Sequence, residues 1–387
     1  MMKPVYLDNN ATTPCAAGVV DAMVPYLQEE YGNAASPHLM GRRAAQAVAD
    51  AREHIAALLE CDPSEVLFTS GATEGNNLVL LGFRPEGPER RAIAVSLVEH
   101  KAVLSPCEYL EEVGRPVARI PVDREGVIAL GALEAQIGTH TSLVAVQAAN
   151  NETGALQPIS EVVERAHRAG ALMHCDAAQA LGKVPFSVSA TGVDFASFSG
   201  HKVYGPKGVG ALYVRAGLKD RIQPILFGGG HEAGVRPGTL NVAGIVGFGV
   251  ACRLAYERSH DEMKQLAALR DLIEGELLRR IPRAHANGAG APRLPGTTSI
   301  TVLGVPADVL LANVPEVCFS SGSACTSGAV SPSHVLVAMG LSRDEADCTF
   351  RLCVGQQNTL EEVQLAIDLI AARACRLQRE FGCVGAL

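Results

Sequence analysis

The sequence has no apolar run of membrane-spanning length. Residues 1–8 lack the apolar stretch of a signal peptide, and no later segment reaches the roughly 18 charge-free apolar residues of a transmembrane helix. Basic runs that could follow a nucleic-acid backbone are also missing, and 33 Lys and Arg residues against 41 Asp and Glu residues give a net charge of −8. These absences predict a cytoplasmic protein without a membrane or a direct nucleic-acid partner.

The 11 cysteines show neither CxxC pairs nor the Cys/His spacing of zinc sites, and their number is odd. A disulfide framework and a metal site are therefore not expected. We predict that most of these cysteines are reduced, buried side chains and that one of them is reactive.

Length and periodicity predict two domains with an α/β core. A chain of 387 residues with 48% apolar composition exceeds the roughly 250–300 residues at which one hydrophobic core stops growing. Short apolar runs alternate with amphipathic stretches, which is the pattern of an α/β sheet. The predicted strands are 66–69, 92–97, 117–121, 143–148, 172–176, 195–199 and 209–214, and the helices between them include 42–59, 103–112 and 159–169.

The last third of the chain has a different pattern of apolar, amphipathic and Gly- and Pro-rich segments. A long amphipathic stretch, 251–281, leads to a Gly- and Pro-rich segment, 287–297, and then to a strand at 298–303. Helices are predicted near 333–339 and at 360–380. This mixture indicates a second, α+β domain.

A lysine and an aspartate stand at the ends of two predicted strands. Lys202 follows strand 195–199 among small and hydroxyl residues, which suits a Schiff-base lysine, although a loop with ordinary lysines is the alternative. Asp176 ends strand 172–176, where ligands of open α/β sheets collect, although it could instead cap a helix. The pair fits pyridoxal 5′-phosphate (PLP), because a carboxylate on the pyridine nitrogen makes the ring an electron sink.

The segment 69–77 follows a strand and opens a helix with small and hydroxyl residues. Unpaired N–H groups and the helix dipole favour an anion such as phosphate there, although Thr73 could merely cap the helix. His100, just after strand 92–97, could stack on a cofactor ring and transfer protons, or it could be an ordinary polar loop residue.

Two residues of the second domain are candidates for substrate chemistry. Cys325 lies among serines, glycines and other small residues, so we predict an exposed, reactive thiol, whereas Cys318 has apolar neighbours and is interpreted as core. Arg351 is out of phase with the apolar Phe350 and Leu352 and therefore faces away from the core. It could bind a substrate carboxylate through two N–H groups, or form a surface salt bridge.

These motifs belong to a longer series that occurs in order over nearly the whole chain: 6–14, 69–77, 99–100, 150–154, 174–179, 199–208, 228–241 and 320–327. The series resembles the group I cysteine desulfurases, class V aminotransferase-like enzymes of PLP fold type I. The resemblance implies a large α/β PLP-binding domain, residues 16–256, with a mostly parallel seven-stranded sheet. It also implies a smaller α+β domain, residues 1–15 and 257–387, that carries the catalytic cysteine loop.

The resemblance implies a role for each matching residue. Lys202 would hold PLP, Cys325 would take the sulfur of L-cysteine as a persulfide, and His100 would stack on the ring and act as acid and base. Asp176 would pair with the pyridine nitrogen and Gln179 with the phenolic oxygen. The phosphate would be held by Ala72, Thr73, Ser199, His201 and, from the partner subunit of an obligate homodimer, Thr239; the substrate carboxylate would be held by Asn151 and Arg351.

Some positions depart from the family pattern. Ala233 stands where an arginine is common, and Gln356 and Gln357 replace the usual residues after the carboxylate arginine. The connection 302–318 is short, and the sequence stops soon after Cys383. These changes leave the chemistry intact and leave open which protein accepts the sulfur.

The sequence therefore predicts a PLP-dependent cysteine desulfurase that converts L-cysteine to L-alanine. The sulfur acceptor would be an iron–sulfur scaffold or a tRNA-thiolation protein. One alternative is another class V enzyme, such as a selenocysteine lyase, a cystine or cysteine-conjugate C–S lyase, or an aminotransferase, none of which needs a nucleophilic Cys325. A non-catalytic sulfur carrier or scaffold with the same fold is the other, and intact Lys202, Asp176 and Cys325 argue against it.

Overall fold

The computed structural model describes residues 3–87, 89–258, 260–321 and 332–382. The strands in these ranges are β1 Val5–Tyr6, β2 Val66–Thr69, β3 Ala92–Ser96, β4 Val117–Ile120, β5 Thr141–Ala145, β6 Leu172–Asp176, β7 Phe195–Ser199, β8 Gly210–Val214, β9 Ala284–Asn287, β10 Thr297–Val302, β11 Val317–Cys318, β12 Ser320–Ser321 and β13 Thr349–Cys353. The α-helices are α1 Ala17–Gln28, α2 Leu39–Leu59, α3 Ala72–Gly82, α4 Lys101–Glu112, α5 Leu130–Gln136, α6 Ile159–Arg168, α7 Val188–Thr191, α8 Val242–Tyr256, α9 His260–Arg280, α10 Ala307–Asn313, α11 His334–Ala338, α12 Arg343–Asp347 and α13 Leu360–Glu380.

Seven strands form one large sheet in the order β2-β8-β7-β6-β5-β3-β4. Every neighbouring pair is parallel except those of β8, which is antiparallel to both β2 and β7. All residues of β3, β5 and β7 are buried, as expected where helices cover both faces of a sheet. The predicted α/β fold with a mostly parallel seven-stranded sheet is confirmed.

The direction of these strands brings distant segments to one edge. The strands β2, β3, β5, β6 and β7 run in the same direction, so their carboxyl ends lie along the same edge of the sheet. The segments that follow them begin at residues 70, 97, 146, 177 and 200 and contain most of the polar residues singled out in the sequence. Ligands of open α/β sheets bind at this edge.

A second, antiparallel sheet has the order β12-β13-β10-β9. Its apolar side chains pack with those of α9 and α13 in a cluster that also contains Val5 and Leu7, and β1 pairs in parallel with β11. The N-terminal segment thus packs with the end of the chain, while the domain boundaries given above stay a prediction. Among the described residues, no helix combines the length and apolar character needed to cross a membrane.

The long amphipathic stretch 251–281 is divided between two helices in the structure. The first helix, α8, begins at Val242 and ends at Tyr256, and α9 starts only at His260. Between them, the Arg258 guanidinium lies over the Tyr204 ring and donates to the Gly182 carbonyl at 2.9 Å. The break between α8 and α9 places Arg258 in contact with distant segments. Helical periodicity in the sequence carries no information on such contacts. Strand β9 was not predicted, because it is half-buried and takes its register from β10.

Candidate active site

A cavity of about 540 Å³ opens at the carboxyl edge of the large sheet. Ten residues singled out in the sequence line it: Ala72, Thr73, His100, Asn151, Asp176, Gln179, Ser199, His201, Lys202 and Arg351. Thr239 is exposed and lies outside the lining of this cavity. Cys325 lies outside the described residues. Cys318, interpreted above as core, is half-buried in the short strand β11, so that interpretation was wrong.

Lys202 ends the 3-10 turn Gly200–Lys202 that follows β7. Its Nζ donates to the backbone carbonyls of Asn10 and Ala11, both at 2.6 Å. The N-terminal segment therefore holds the amine at the cavity wall. The interpretation of Lys202 as an ordinary surface lysine was wrong.

Asp176 is buried at the end of β6, and each of its carboxylate oxygens accepts a hydrogen bond. The Ala178 N–H donates to Oδ1 at 3.0 Å, and the side-chain amide of Asn76 donates to Oδ2 at 2.7 Å. The first contact closes a local turn, and because no helix begins there in the structure, the alternative that Asp176 caps a helix was wrong. The second comes from α3, so that a distant helix orients the carboxylate.

The amino-terminal end of α3 faces the same cavity. Its N-cap is Gly71, so the alternative that Thr73 caps the helix was wrong. Ser199 and His201 approach this end from β7, and burial lowers the pKa of His201 to about 4, with the charge of Lys202 adding to the effect. Bare helix N–H groups, two hydroxyls and a neutral imidazole make a site for an anion.

Arg351 is almost fully buried, with 3% of its surface exposed, while Phe350 and Leu352 point into the apolar cluster on the other side of β13. Its guanidinium donates to the Asn151 carbonyl at 2.8 Å and to Ser320 Oγ at 2.7 Å, and it pairs with Asp8. Its Nε has no hydrogen-bond partner among the described residues. A surface salt bridge, the alternative given above, was therefore wrong: Arg351 is buried and lines the cavity, and its partner Asp8 is largely buried.

His100 is both the N-cap of α4 and a wall of the cavity. Its Nδ1 accepts a hydrogen bond from the Ala102 N–H at 3.1 Å. Burial lowers the pKa of His100, and the Asp176 charge opposes this shift. A neutral ring whose Nδ1 is an acceptor carries its proton on Nε2, so His100 can donate from that atom.

Asn10 is a buried centre of hydrogen bonds that was not predicted as a site residue, although it lies in the recognised segment 6–14. Its carbonyl accepts from Gln179 Nε2 at 2.9 Å as well as from Lys202, and its side-chain Oδ1 accepts from Lys183 Nζ at 3.1 Å and from Cys353 Sγ at 3.1 Å. Lys183 also donates to Gln179 Oε1 at 2.7 Å. The Gln179 amide is therefore oriented with its NH₂ group toward Asn10 and the cavity.

Asn76 and His174 were also not predicted as site residues. Asn76 lies within the recognised segment 69–77, and His174 lies in a predicted strand two residues before Asp176, but nothing in the sequence shows that they touch. Lys183 was missed as well: it lies four residues after Gln179, but residues 178–183 form turns and the helical i,i+4 rule does not apply to them. Gln356, which departs from the family pattern, donates its backbone N–H to Tyr204 Oη at 2.8 Å and is absent from the cavity lining.

The comparisons with known proteins agree with this geometry. The family model described as "Aminotransferase class-V" matches residues 5–365. A protein of Nostoc sp. named "Cysteine desulfurase" is 42% identical over 97% of this chain and 94% of its own length, and "Cysteine desulfurase IscS" of Rickettsia akari is 40% identical over 97% and 92%. A solved structure titled "NIFS-LIKE PROTEIN" has 37% identity and a TM-score of 0.87 over 95% of this chain and 98% of that one.

The chain belongs to the class V aminotransferase family, whose members are PLP-dependent enzymes. Within that family its similarity to the two cysteine desulfurases extends over nearly its full length. The cavity fits PLP, because its amine, oriented carboxylate and anion site match the aldehyde, pyridine nitrogen and phosphate of that cofactor.

Proposed function

We propose that this protein is a PLP-dependent cysteine desulfurase that transfers the sulfur of L-cysteine to Cys325 and releases L-alanine. One observation carries the proposal: a single cavity joins the Lys202 amine, the Asp176 carboxylate and the Arg351 guanidinium. An amine and a carboxylate serve many PLP enzymes. The buried arginine adds a place for the carboxylate of an amino-acid substrate.

Each residue of the cavity has a role in this proposal. When bound, PLP supplies an electron sink for charge that develops at Cα of the substrate. Lys202 would hold the cofactor and move the Cα proton, Asp176 would pair with the pyridine nitrogen, and Gln179, whose Oε1 is taken by Lys183, would donate its amide N–H to the phenolic oxygen. The phosphate would be held by Ala72, Thr73, Ser199 and His201, and the substrate carboxylate by Asn151 and Arg351.

The sulfur step is assigned to Cys325 from the family resemblance. The Cys325 thiolate attacks Sγ of the bound cysteine, so that an S–S bond forms and the Cβ–S bond breaks with its electron pair going to the substrate carbon. That carbon takes up a proton and leaves as L-alanine. His100, which lines the cavity and whose Nδ1 is occupied as an acceptor, is the proposed proton donor through Nε2–H.

The proposal also covers the oligomeric state, the sulfur acceptor and the cellular location of the enzyme. Thr239 reaches the phosphate of a partner subunit in a homodimer, and the sulfur passes to an iron–sulfur scaffold or a tRNA-thiolation protein. A cytoplasmic location is supported by the cysteines of the described part, all of which are free. Capture of partners by the persulfidated enzyme from its own cell extract identifies the acceptor.

The deciding experiment compares Cys325→Ser with a matched control, Cys61→Ser, a half-buried cysteine that is absent from the cavity lining. With PLP and L-cysteine, the wild-type and control proteins are expected to form alanine and a persulfide in equal amounts. Cys325→Ser should bind PLP and cysteine but form neither product. If Cys325→Ser releases alanine and sulfur at the wild-type rate, the desulfurase mechanism is wrong and a C–S lyase takes its place.

A further inference from the structure

Three buried polar side chains form a line that ends at Asp176. Asn76 donates from Nδ2 to Asp176 Oδ2 at 2.7 Å, and Asn76 Oδ1 lies 2.9 Å from His174 Nε2. Asn76 and His174 have no exposed surface. His174 does not line the cavity, so it reaches the site only through Asn76.

One assignment of hydrogen-bond donors and acceptors to His174, Asn76 and Asp176 is consistent with these distances. Burial lowers the pKa of His174 to about 4 against the opposing charge of Asp176, so the ring is neutral at neutral pH and carries one N–H. Because its Nδ1 has no partner among the described residues, that N–H lies on Nε2 and donates to Asn76 Oδ1. With the amide reversed, its oxygen would face a carboxylate oxygen at 2.7 Å and its NH₂ would face the ring N–H.

The position of Asn76 explains why this residue can reach the site. It lies on α3, the helix whose amino-terminal end faces the cavity, and its neighbour Gly75 packs against β7. A Cβ on Gly75 would lie 2.7 Å from Ser197 Oγ and 3.2 Å from Ser197 Cβ, so a larger residue would have to displace Ser197 to keep this approach of helix and strand. One helix therefore sets both the anion site and the orientation of Asp176.

We propose that Asn76 is a positioning residue for Asp176, and that His174 fixes the Asn76 amide in the orientation that presents its NH₂ group to the carboxylate. The inference rests on the role of Asp176 in the proposed function. Side chains that orient a ligating group are typically worth about 10- to 100-fold in affinity or activity. Neither Asn76 nor His174 touches the reacting atoms, so their effect is exerted through Asp176.

The test uses a conservative pair at His174. In His174→Gln the side-chain NH₂ replaces Nε2–H, so the amide of Asn76 keeps its donor; in His174→Leu the donor is lost. We expect apo-protein of the Gln variant to bind PLP within about twofold of wild type, and the Leu variant about 10- to 100-fold more weakly, with an altered visible absorption band of the bound cofactor. Alanine formation from cysteine should fall in parallel.

If His174→Leu does not fold, Asn76→Ala tests the positioning role independently, with Asn77→Ala as its matched control. Asn77 is the next residue of α3 and donates only to backbone carbonyls. Asn76→Ala should reproduce the weak PLP binding, and Asn77→Ala should bind as wild type does. Variants that lose thermal stability but keep wild-type PLP affinity and absorption would show that the hydrogen bonds of His174, Asn76 and Asp176 stabilise the fold without affecting the cofactor. This result would overturn the inference.

The two proposals fail separately. A wild-type protein that binds PLP but forms no alanine from cysteine contradicts the desulfurase function, while the PLP titrations still decide the role of Asn76. An active wild type with unchanged PLP binding in both His174→Leu and Asn76→Ala contradicts only the positioning role.

Discussion

At the scale of single residues, the site is built from buried charges that each have a partner. Arg351 illustrates the consequence, because its guanidinium is held by Asp8, Ser320 and the Asn151 carbonyl before any substrate arrives. Such preorganisation reduces the entropy lost on binding. It also means that shortening the arginine would remove the cationic partner of Asp8, which would keep its hydrogen bond from Ser320.

We therefore expect Arg351→Lys to raise KM for cysteine by about tenfold or more with a smaller change in kcat, because lysine keeps the charge but loses the planar set of donors. Steady-state kinetics with alanine as product measures the effect. Arg376→Lys, an exposed arginine on α13 paired with Glu380, is the control and should behave as wild type. A variant with unchanged KM and a much lower kcat would contradict the assignment of Arg351 to the substrate carboxylate.

Strand alternation was enough to place Arg351 on the cavity face, because a period of two determines which side of a strand a residue occupies. The same reasoning could not find Asn10, Asn76 or His174. Their partners are 98 to 343 residues away along the chain, and polar residues in a loop, a helix and a buried strand carry no periodic signal of such contacts. Only the packed structure brings them together.

At the scale of elements, the predicted strands 66–69, 172–176 and 195–199 and the helix 360–380 agree with the structure in both bounds. Those strands are short, mostly apolar runs followed by the polar residues of the site, which is a clear signal. Strand 143–148 ends earlier, at Ala145, where its pairing with β6 stops. Residues 146–148 remain buried near the cavity without being strand, a distinction that apolar composition alone does not make.

Gly210 shows how tightly these elements approach at the anion site. It pairs with both Thr69 and Ser199, and a Cβ there would clash with the Phe198 carbonyl and lie 2.6 Å from Gly71 Cα. Substitution by alanine must displace the N-cap of α3.

We expect Gly210→Ala to weaken PLP binding and to lower the free energy of unfolding by about 1–3 kcal/mol, the usual cost of overpacking. PLP titration of the apo-protein and denaturant unfolding measure the two effects. The control is Gly131→Ala on α5, where a Cβ meets open space, and it should be neutral or stabilise by up to about 1 kcal/mol. Wild-type PLP affinity in Gly210→Ala would show that the α3 end does not hold the phosphate.

At the scale of the whole molecule, the cavity lies where the two sheets meet. Lys202 and Asp176 follow strands of the large sheet, whereas Arg351 belongs to the antiparallel sheet. The family resemblance predicted that residues of the large domain bind the cofactor and that Arg351, in the second domain, binds the substrate carboxylate. The N-terminal segment connects the two parts, since Asn10 contacts Lys202 on one side and Thr297 of β10 on the other.

The segment that contains Thr239 is anchored but does not complete its own cavity. Arg236 pairs with Glu74 on α3 at 2.8 Å, yet Thr239 is exposed and Phe227, near the start of the same segment, is 91% exposed. A large apolar side chain left in water next to a catalytic edge favours burial by another chain. This geometry supports the homodimer in which Thr239 serves the partner's phosphate site.

Mixed dimers test that arrangement directly. Lys202→Ala subunits lack the amine, and Thr239→Ala subunits should bind PLP weakly because the hydroxyl is lost. In a mixed dimer, the cavity with intact Lys202 belongs to the Thr239→Ala chain and receives its threonine from the Lys202→Ala chain, so it is complete. Random exchange of equal amounts should therefore restore about one quarter of the wild-type sites, seen as tight PLP binding and alanine formation above the sum of the separate variants. If Thr239 instead serves its own subunit, every cavity in the mixture carries a defect, and mixing the two variants restores nothing.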